Sequence, residues 1–125
     1  MIYYSTTVTQ IGVEVHDLID GGVLILYADG APAALAEVSI QHKVEQESKQ
    51  LAPPVGAQVQ IGNLSARITA MGDTAWHKVT DLGHVVFSFN GATTADRPGE
   101  ICTTPLDTEA LKAILTAGCK LEITG

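Results

Sequence analysis

Cysteine is scarce in this chain: Cys102 and Cys119 are the only two in 125 residues. Neither has a neighbour at metal-ligand spacing, and a chain of this length buries enough surface to fold without a disulfide, so both read as small buried apolar residues. Positive charge is scarce too, with seven Lys and Arg against fourteen Asp and Glu, for a formal charge of -7. That balance repels phosphate backbones and anionic lipid, which speaks against nucleic acid as a partner and favours a protein partner with a basic docking face. No stretch approaches the roughly 18 apolar residues that cross a bilayer. The opening MIYYSTTVTQ lacks the basic start and apolar run of a secretory signal, so the expectation is a cytoplasmic protein with no direct membrane insertion. The phosphate loop GXXXXGK[ST] and the GXSXG elbow are absent, and His16, His42, His77 and His84 include no pair at zinc-motif spacing. No metal and no cofactor are expected.

What remains is a chain with 46% hydrophobic and 17% charged residues, which suits one compact domain over residues 1–125 rather than a disordered segment. IYYSTTVTQIGVEV at 2–15 predicts a strand bulged or bent at Gly12, with His16 in a following turn. GVLILYA at 22–28 predicts a second strand, ended by Asp29-Gly30, and a helical turn over 31–36 leads into the strand that carries His42. The adjacent Pro53 and Pro54 make 49–56 a loop, and alternation on both sides of Gly62-Asn63 predicts a hairpin. DTAWHKVTDL at 73–82 predicts a short helix capped by Asp73 or Thr74 and stopped by Gly83. A strand over 84–90, a short strand over 100–104, a helix from Asp107 to Gly118 and a closing strand CKLEI complete the pattern. These pieces describe a mainly β chain: a closed or nearly closed β-barrel or sandwich of short strands with one or two short helices. VGAQVQIG at 55–62 and AGCKLEITG at 117–125 echo one another, too weakly to mark a repeat protein.

The segment SIQHKVEQ places an ionisable ring in an aliphatic row. With a side-chain period of two, Val38, Ile40, His42 and Val44 share one face, while Ser39, Gln41 and Lys43 face the other way, toward water. His42 is therefore either core filling or a chemical tool. Serine and cysteine nucleophiles have no local support, so covalent chemistry in this chain would fall to a histidine.

DGAPAALAEVSIQH at 29–42, followed by DLGHVVFSFNG at 81–91, resembles the glucitol/sorbitol-specific enzyme IIA component of the bacterial phosphoenolpyruvate-dependent sugar phosphotransferase system. IYYSTTVTQIG, VGAQVQIG and ITAMG fall in that family's order and spacing, so the likeness covers nearly the whole chain. The resemblance implies a cytoplasmic histidine phosphotransferase component. Such a component accepts a phosphoryl group from the carrier HPr and passes it to the IIB domain of a IIB/IIC membrane transporter. It further implies that His42, a dozen residues past Gly30-Ala31-Pro32-Ala33, is the phosphoacceptor, and that His84 in Leu82-Gly83-His84 stabilises the phosphoryl group. A neutral imidazole can attack phosphorus and form a labile P–N bond, and burial among aliphatic residues favours the neutral form. The attack also calls for one ring nitrogen to be hydrogen-bonded and the other to aim outward. The alternative is a non-catalytic regulatory or binding barrel of the same fold.

Overall fold

In the computed structural model, which describes residues 1–125, eight strands close into one barrel in the order β1-β3-β2-β6-β7-β5-β4-β8. The strands are β1 (Ile2–Ile11), β2 (Val23–Ala28), β3 (Ile40–Glu47), β4 (Gln58–Ile61), β5 (Leu64–Met71), β6 (Val85–Ser88), β7 (Glu100–Thr103) and β8 (Lys120–Thr124). Closure leaves no unpaired sheet edge. No helix is long and apolar enough to cross a membrane.

Period-two alternation decides what fills the barrel. Tyr4, Thr6 and Val8 from β1, Leu24 and Leu26 from β2, and Ile40 and His42 from β3 are all at most 1% exposed. Val59, Ile61, Ile68, Phe87, Ile101, Leu121 and Ile123 complete the interior from the other strands. Truncating one such Leu or Ile to Ala costs about 2–5 kcal/mol, because the packed surroundings cannot collapse into the space.

Four short helices cap and buttress the barrel, where one or two were expected: α1 (Val15–Asp20), α2 (Ala33–Ala36), α3 (Ala75–Leu82) and α4 (Thr108–Ile114). The unforeseen one is α1. The sequence of this segment predicts the end of a strand and a turn, since Val13 and Val15 favour β structure and six residues are too few to display a helical period. β1 ends just before Gly12, which passes so close to the Ala36 carbonyl oxygen that a Cβ there would collide with it. Val15 and Ile19, four apart, then bury one face of α1. Asp107 caps α4 as predicted, its carboxylate accepting from the Glu109 and Ala110 amides at 2.9 and 3.2 Å. That helix ends at Leu115, ahead of Gly118.

The pairing pattern has an internal two-fold correspondence that exchanges β1 with β5, β2 with β6, β3 with β7 and β4 with β8. β1/β3 and β5/β7 are antiparallel, and β2/β3 and β6/β7 are parallel. The registers match pair for pair. Leu26 and Tyr27 stand opposite Ile40 and Gln41, as Phe87 and Ser88 stand opposite Ile101 and Cys102. The bulge between Val8 and Gln10 recurs between Ile68 and Ala70. Gly72 repeats the part of Gly12, since a Cβ there would collide with the Pro98 carbonyl. The echo between 55–62 and 117–125 is this correspondence seen in sequence, because the two segments form β4 and β8.

Candidate functional site

His42 projects into the barrel near the end of β2, where Ala28 is its neighbour across the parallel pair. It is 0% exposed. Nδ1 lies 2.6 Å from Thr6 Oγ1, and Nε2 lies 2.7 Å from the carbonyl oxygen of Gly83. The Thr6 hydroxyl is also 2.8 Å from the Lys43 carbonyl. Tyr4 stands edge-on to the imidazole at a centroid distance of 6.1 Å, and Trp76 stands edge-on to Tyr4 at 5.9 Å. Trp76 is tied in turn to the Ser48 carbonyl through Nε1, at 2.8 Å.

Burial pushes the His42 pKa down, against the Gly83 hydrogen bond and the negative charge of Asp29, which both push it up. The neutral ring wins, as the sequence reading expected, because desolvating an imidazolium costs more than one carbonyl and one carboxylate return. The expected outward-aimed nitrogen is not there. Both ring nitrogens are engaged and enclosed, so a phosphoryl group reaches this ring only when one of its two partners moves away.

Gly83 supplies that carbonyl from a particular joint. It follows α3 with φ +61, a left-handed conformation that favours glycine, and its backbone N–H closes onto the Val79 carbonyl. A side chain there would also press against Ala28. The helix stop read from the sequence is therefore at the same time a wall of the histidine pocket.

His84 follows at once but faces the other way. Val85 and Phe87 of β6 point into the barrel, which puts His84 on the outer surface with its ring tilted against Tyr27 at a centroid distance of 5.3 Å. It is partly buried, and its pKa is pushed down first by burial and then by the Lys78 ammonium. The two histidines thus share the Gly83–His84 joint but lie on opposite faces of the sheet, and no hydrogen bond joins them. His16 and His77 are exposed, and His77 pairs with Asp81 at 2.8 Å.

Two neighbours expected in water are not. Ser39 is fully buried and Gln41 is 9% exposed. The Gln41 side-chain oxygen accepts from the Gly30 and Ala31 amides at 3.2 and 3.3 Å, and its NH2 donates to Gln10 at 2.8 Å. Gln41 therefore braces the turn at Gly30-Ala31 from the strand that carries His42. Thr6 was missed, although it carries the same signal as His42, a polar residue within an inward apolar row. The Gly83 carbonyl is a backbone group and leaves no such signal.

A barrel of this topology is a known one. A crystal structure described as a PTS system IIA component from Enterococcus faecalis V583 shares the fold with a TM-score of 0.77 over 97% of this chain and 99% of that one, at 20% identity. Sequence comparison carries the assignment further. The profile of the PTS system glucitol/sorbitol-specific IIA component family matches residues 3–122. The proteins named PTS system glucitol/sorbitol-specific EIIA component from Shigella flexneri and from Escherichia coli (strain K12) are each 34% identical over 100 residues, spanning 80% of this chain and 80% of theirs. This chain belongs to the glucitol/sorbitol-specific IIA family, and is a phosphotransferase component.

Proposed function

We propose that residues 1–125 act as one cytoplasmic phosphocarrier domain that takes a phosphoryl group from phospho-HPr onto His42 and passes it to the IIB domain of a glucitol/sorbitol transporter. The observation that carries the reading is His42 itself, an imidazole fully enclosed in the barrel yet held through both nitrogens by Thr6 and Gly83. A histidine kept neutral by burial retains the lone pair that attack on phosphorus needs. In the transfer, a ring nitrogen of His42 bonds to phosphorus as the donor's P–N bond breaks, its electron pair returning to the donor ring. His84 lies on the outer face of the same joint, with the Lys78 charge acting on it, so its part is to meet the phosphoryl oxygens outside the barrel before the group reaches His42, by a charge-assisted contact worth about 1.5–3 kcal/mol.

A second reading is favoured by exposure: His84 is partly open to solvent and neutral, with Lys78 acting on it, and could be the acceptor itself. One experiment decides between them. The protein is incubated with phosphoenolpyruvate, enzyme I and HPr, and the phosphate is scored by mass and by its lability to acid. Loss of the phosphate in His42→Ala, with retention in His84→Ala at a slower onward transfer, supports the first reading. The reverse pattern makes His84 the acceptor, and no phosphate on either variant or wild type defeats both.

A further inference from the structure

We infer that Thr6 is the positioning residue that holds a proton on Nδ1 of His42, leaves Nε2 as the nitrogen that bonds to phosphorus, and lets the phosphorylated ring depart as neutral imidazole. The inference rests on the reading of His42 as the acceptor. The Thr6 hydroxyl has one hydrogen and two neighbours, Lys43 O at 2.8 Å and His42 Nδ1 at 2.6 Å. A carbonyl can only accept. When Thr6 donates to Lys43 O, its oxygen faces Nδ1 as an acceptor, and Nδ1 must carry a hydrogen. The chain Nδ1–H to Thr6 to Lys43 O is then complete.

In that tautomer the lone pair sits on Nε2, facing the Gly83 oxygen at 2.7 Å, and two acceptors oppose each other. The opposite tautomer satisfies Gly83 but takes the Thr6 hydrogen from Lys43. A protonated ring removes the conflict as it stands, donating to Thr6 and to Gly83 at once, whereas an Nε2-substituted ring removes it once Gly83 gives way. The two partners differ in how they are held. Thr6 lies within the barrel wall, paired with Val44 on one side and Leu121 on the other. Gly83 lies at a left-handed joint between α3 and β6, flanked by Leu82, which is 48% exposed, and by the outward His84. The ring therefore opens at Nε2.

The transfer balances without a free proton. The Nε2 lone pair forms the new P–N bond, the bond to the donor nitrogen breaks, and Nδ1 keeps its hydrogen, so the ring acquires the positive charge that Thr6 Oγ1 meets. In the onward step the P–N electron pair returns to Nε2, and the leaving group is neutral imidazole rather than imidazolate. The other groups acting on the ring are Asp29, which favours positive charge there, and Tyr4, whose ring stands edge-on.

The test compares Thr6→Val, which keeps the shape and loses the hydroxyl, with Thr6→Ser, which restores it. Phosphoryl discharge should slow about tenfold in Thr6→Val and stay within about threefold of wild type in Thr6→Ser, the scale of one lost hydrogen bond to a charged ring. Nitrogen-15 spectra of the phosphorylated wild type should place phosphorus on Nε2 and hydrogen on Nδ1; phosphorus on Nδ1 overturns the inference without needing any variant to fold. The His42 ring of the unphosphorylated protein should titrate lower in Thr6→Val and recover in Thr6→Ser, and an unmoved titration also overturns it. That last readout does not depend on where phosphate goes, so phosphate persisting in His42→Ala would count against the acceptor reading alone.

Discussion

Thr9 and Thr69 occupy the same bulge in the two halves of the barrel, yet only Thr9 has a partner. Its hydroxyl donates to Asp29, whereas the Thr69 hydroxyl is buried without a hydrogen bond. The residue standing where Asp29 would is Asn90, which turns back to accept from the Ala92 amide at 3.0 Å. Thr69 is left lining a cavity of about 570 Å³ beside Val55, Met71, Asp73, Asp96 and Arg97. An orphaned buried hydroxyl costs about 1–3 kcal/mol, so Thr69→Val should raise stability by about 1 kcal/mol and Thr9→Val should lower it by a similar amount. Urea midpoints of the two variants moving in the same direction would contradict this.

Tyr4 presents a similar case inside the histidine pocket. Its hydroxyl is fully enclosed and unpartnered, and burial together with the charge of Glu47 pushes its pKa well above the ordinary range. Tyr4→Phe keeps the ring that stands against His42 and Trp76, so it should stabilise the fold by about 1 kcal/mol. Phosphoryl acceptance should be unchanged, as a phosphorylation time course would show.

The histidine pocket gives stability a pH dependence whose sign is fixed. Burial holds the His42 pKa below its ordinary 6.5, and His84 moves in the same direction. As pH falls through about 6.5, the unfolded chain binds protons that the folded chain refuses, so stability declines until the folded rings themselves titrate. His42→Asn should flatten part of that decline, measured by chemical denaturation at a series of pH values from about 7.5 to 5. A wild-type curve that rose on acidification across this range would contradict it.

Glu100 anchors the segment between β6 and β7. Its carboxylate accepts from Ser88 at 2.8 Å, from the Asp96 amide at 3.1 Å and from Cys102 at 3.3 Å. Ser88 above all, then Cys102, the Asp96 amide and the Arg97 charge, hold its pKa below 4.5, so this anchor is intact above that pH and is lost as pH falls through the folded value. Burial and the Glu100 carboxylate push the Cys102 thiol up to about 11. Since the thiolate is the reactive form, Cys102 should resist alkylation in the folded protein at neutral pH and react on unfolding. In Glu100→Gln, amide exchange at Asp96 should accelerate; unchanged exchange would show that the segment is held by something else.

Gly12 and Gly72 each let a strand end pass against a backbone carbonyl. Gly12→Ala and Gly72→Ala should therefore cost similar and large amounts, more than the roughly 1 kcal/mol of a glycine replaced where there is room. Thermal unfolding of the pair would show the match, and a large cost at one position alone would break the two-fold correspondence.

Much of this was legible because the barrel's inside is written in period two. The row through Ile40 and His42 and the hairpin at Gly62-Asn63 could be read directly, and GAPA at 30–33 followed by His42 carried the family. Three things could not be read in full. The α1 segment, VHDLID, is too short to distinguish a helical period from the strand it follows. Gln41 looks solvent-facing by alternation, but its amide is enclosed by the turn it braces, a contact set by chain topology rather than pattern. The separation of His42 from His84 was only half legible: alternation over 84–90 sets His84 opposite Val85 and Phe87, as the structure has it, but which of those faces lines the barrel with His42 is decided by topology.

The two-fold correspondence places Thr103 where His42 stands in the other half. Thr103 is equally buried, but its hydroxyl is spent on the Thr104 carbonyl at 3.0 Å. The barrel thus offers two equivalent shelves, one carrying an imidazole held through both nitrogens and the other a hydroxyl already paired. The half without that ring still supplies the Gly83 carbonyl that holds it, so the enclosure of His42 is built by both halves of the barrel and neither half can vary independently of the other.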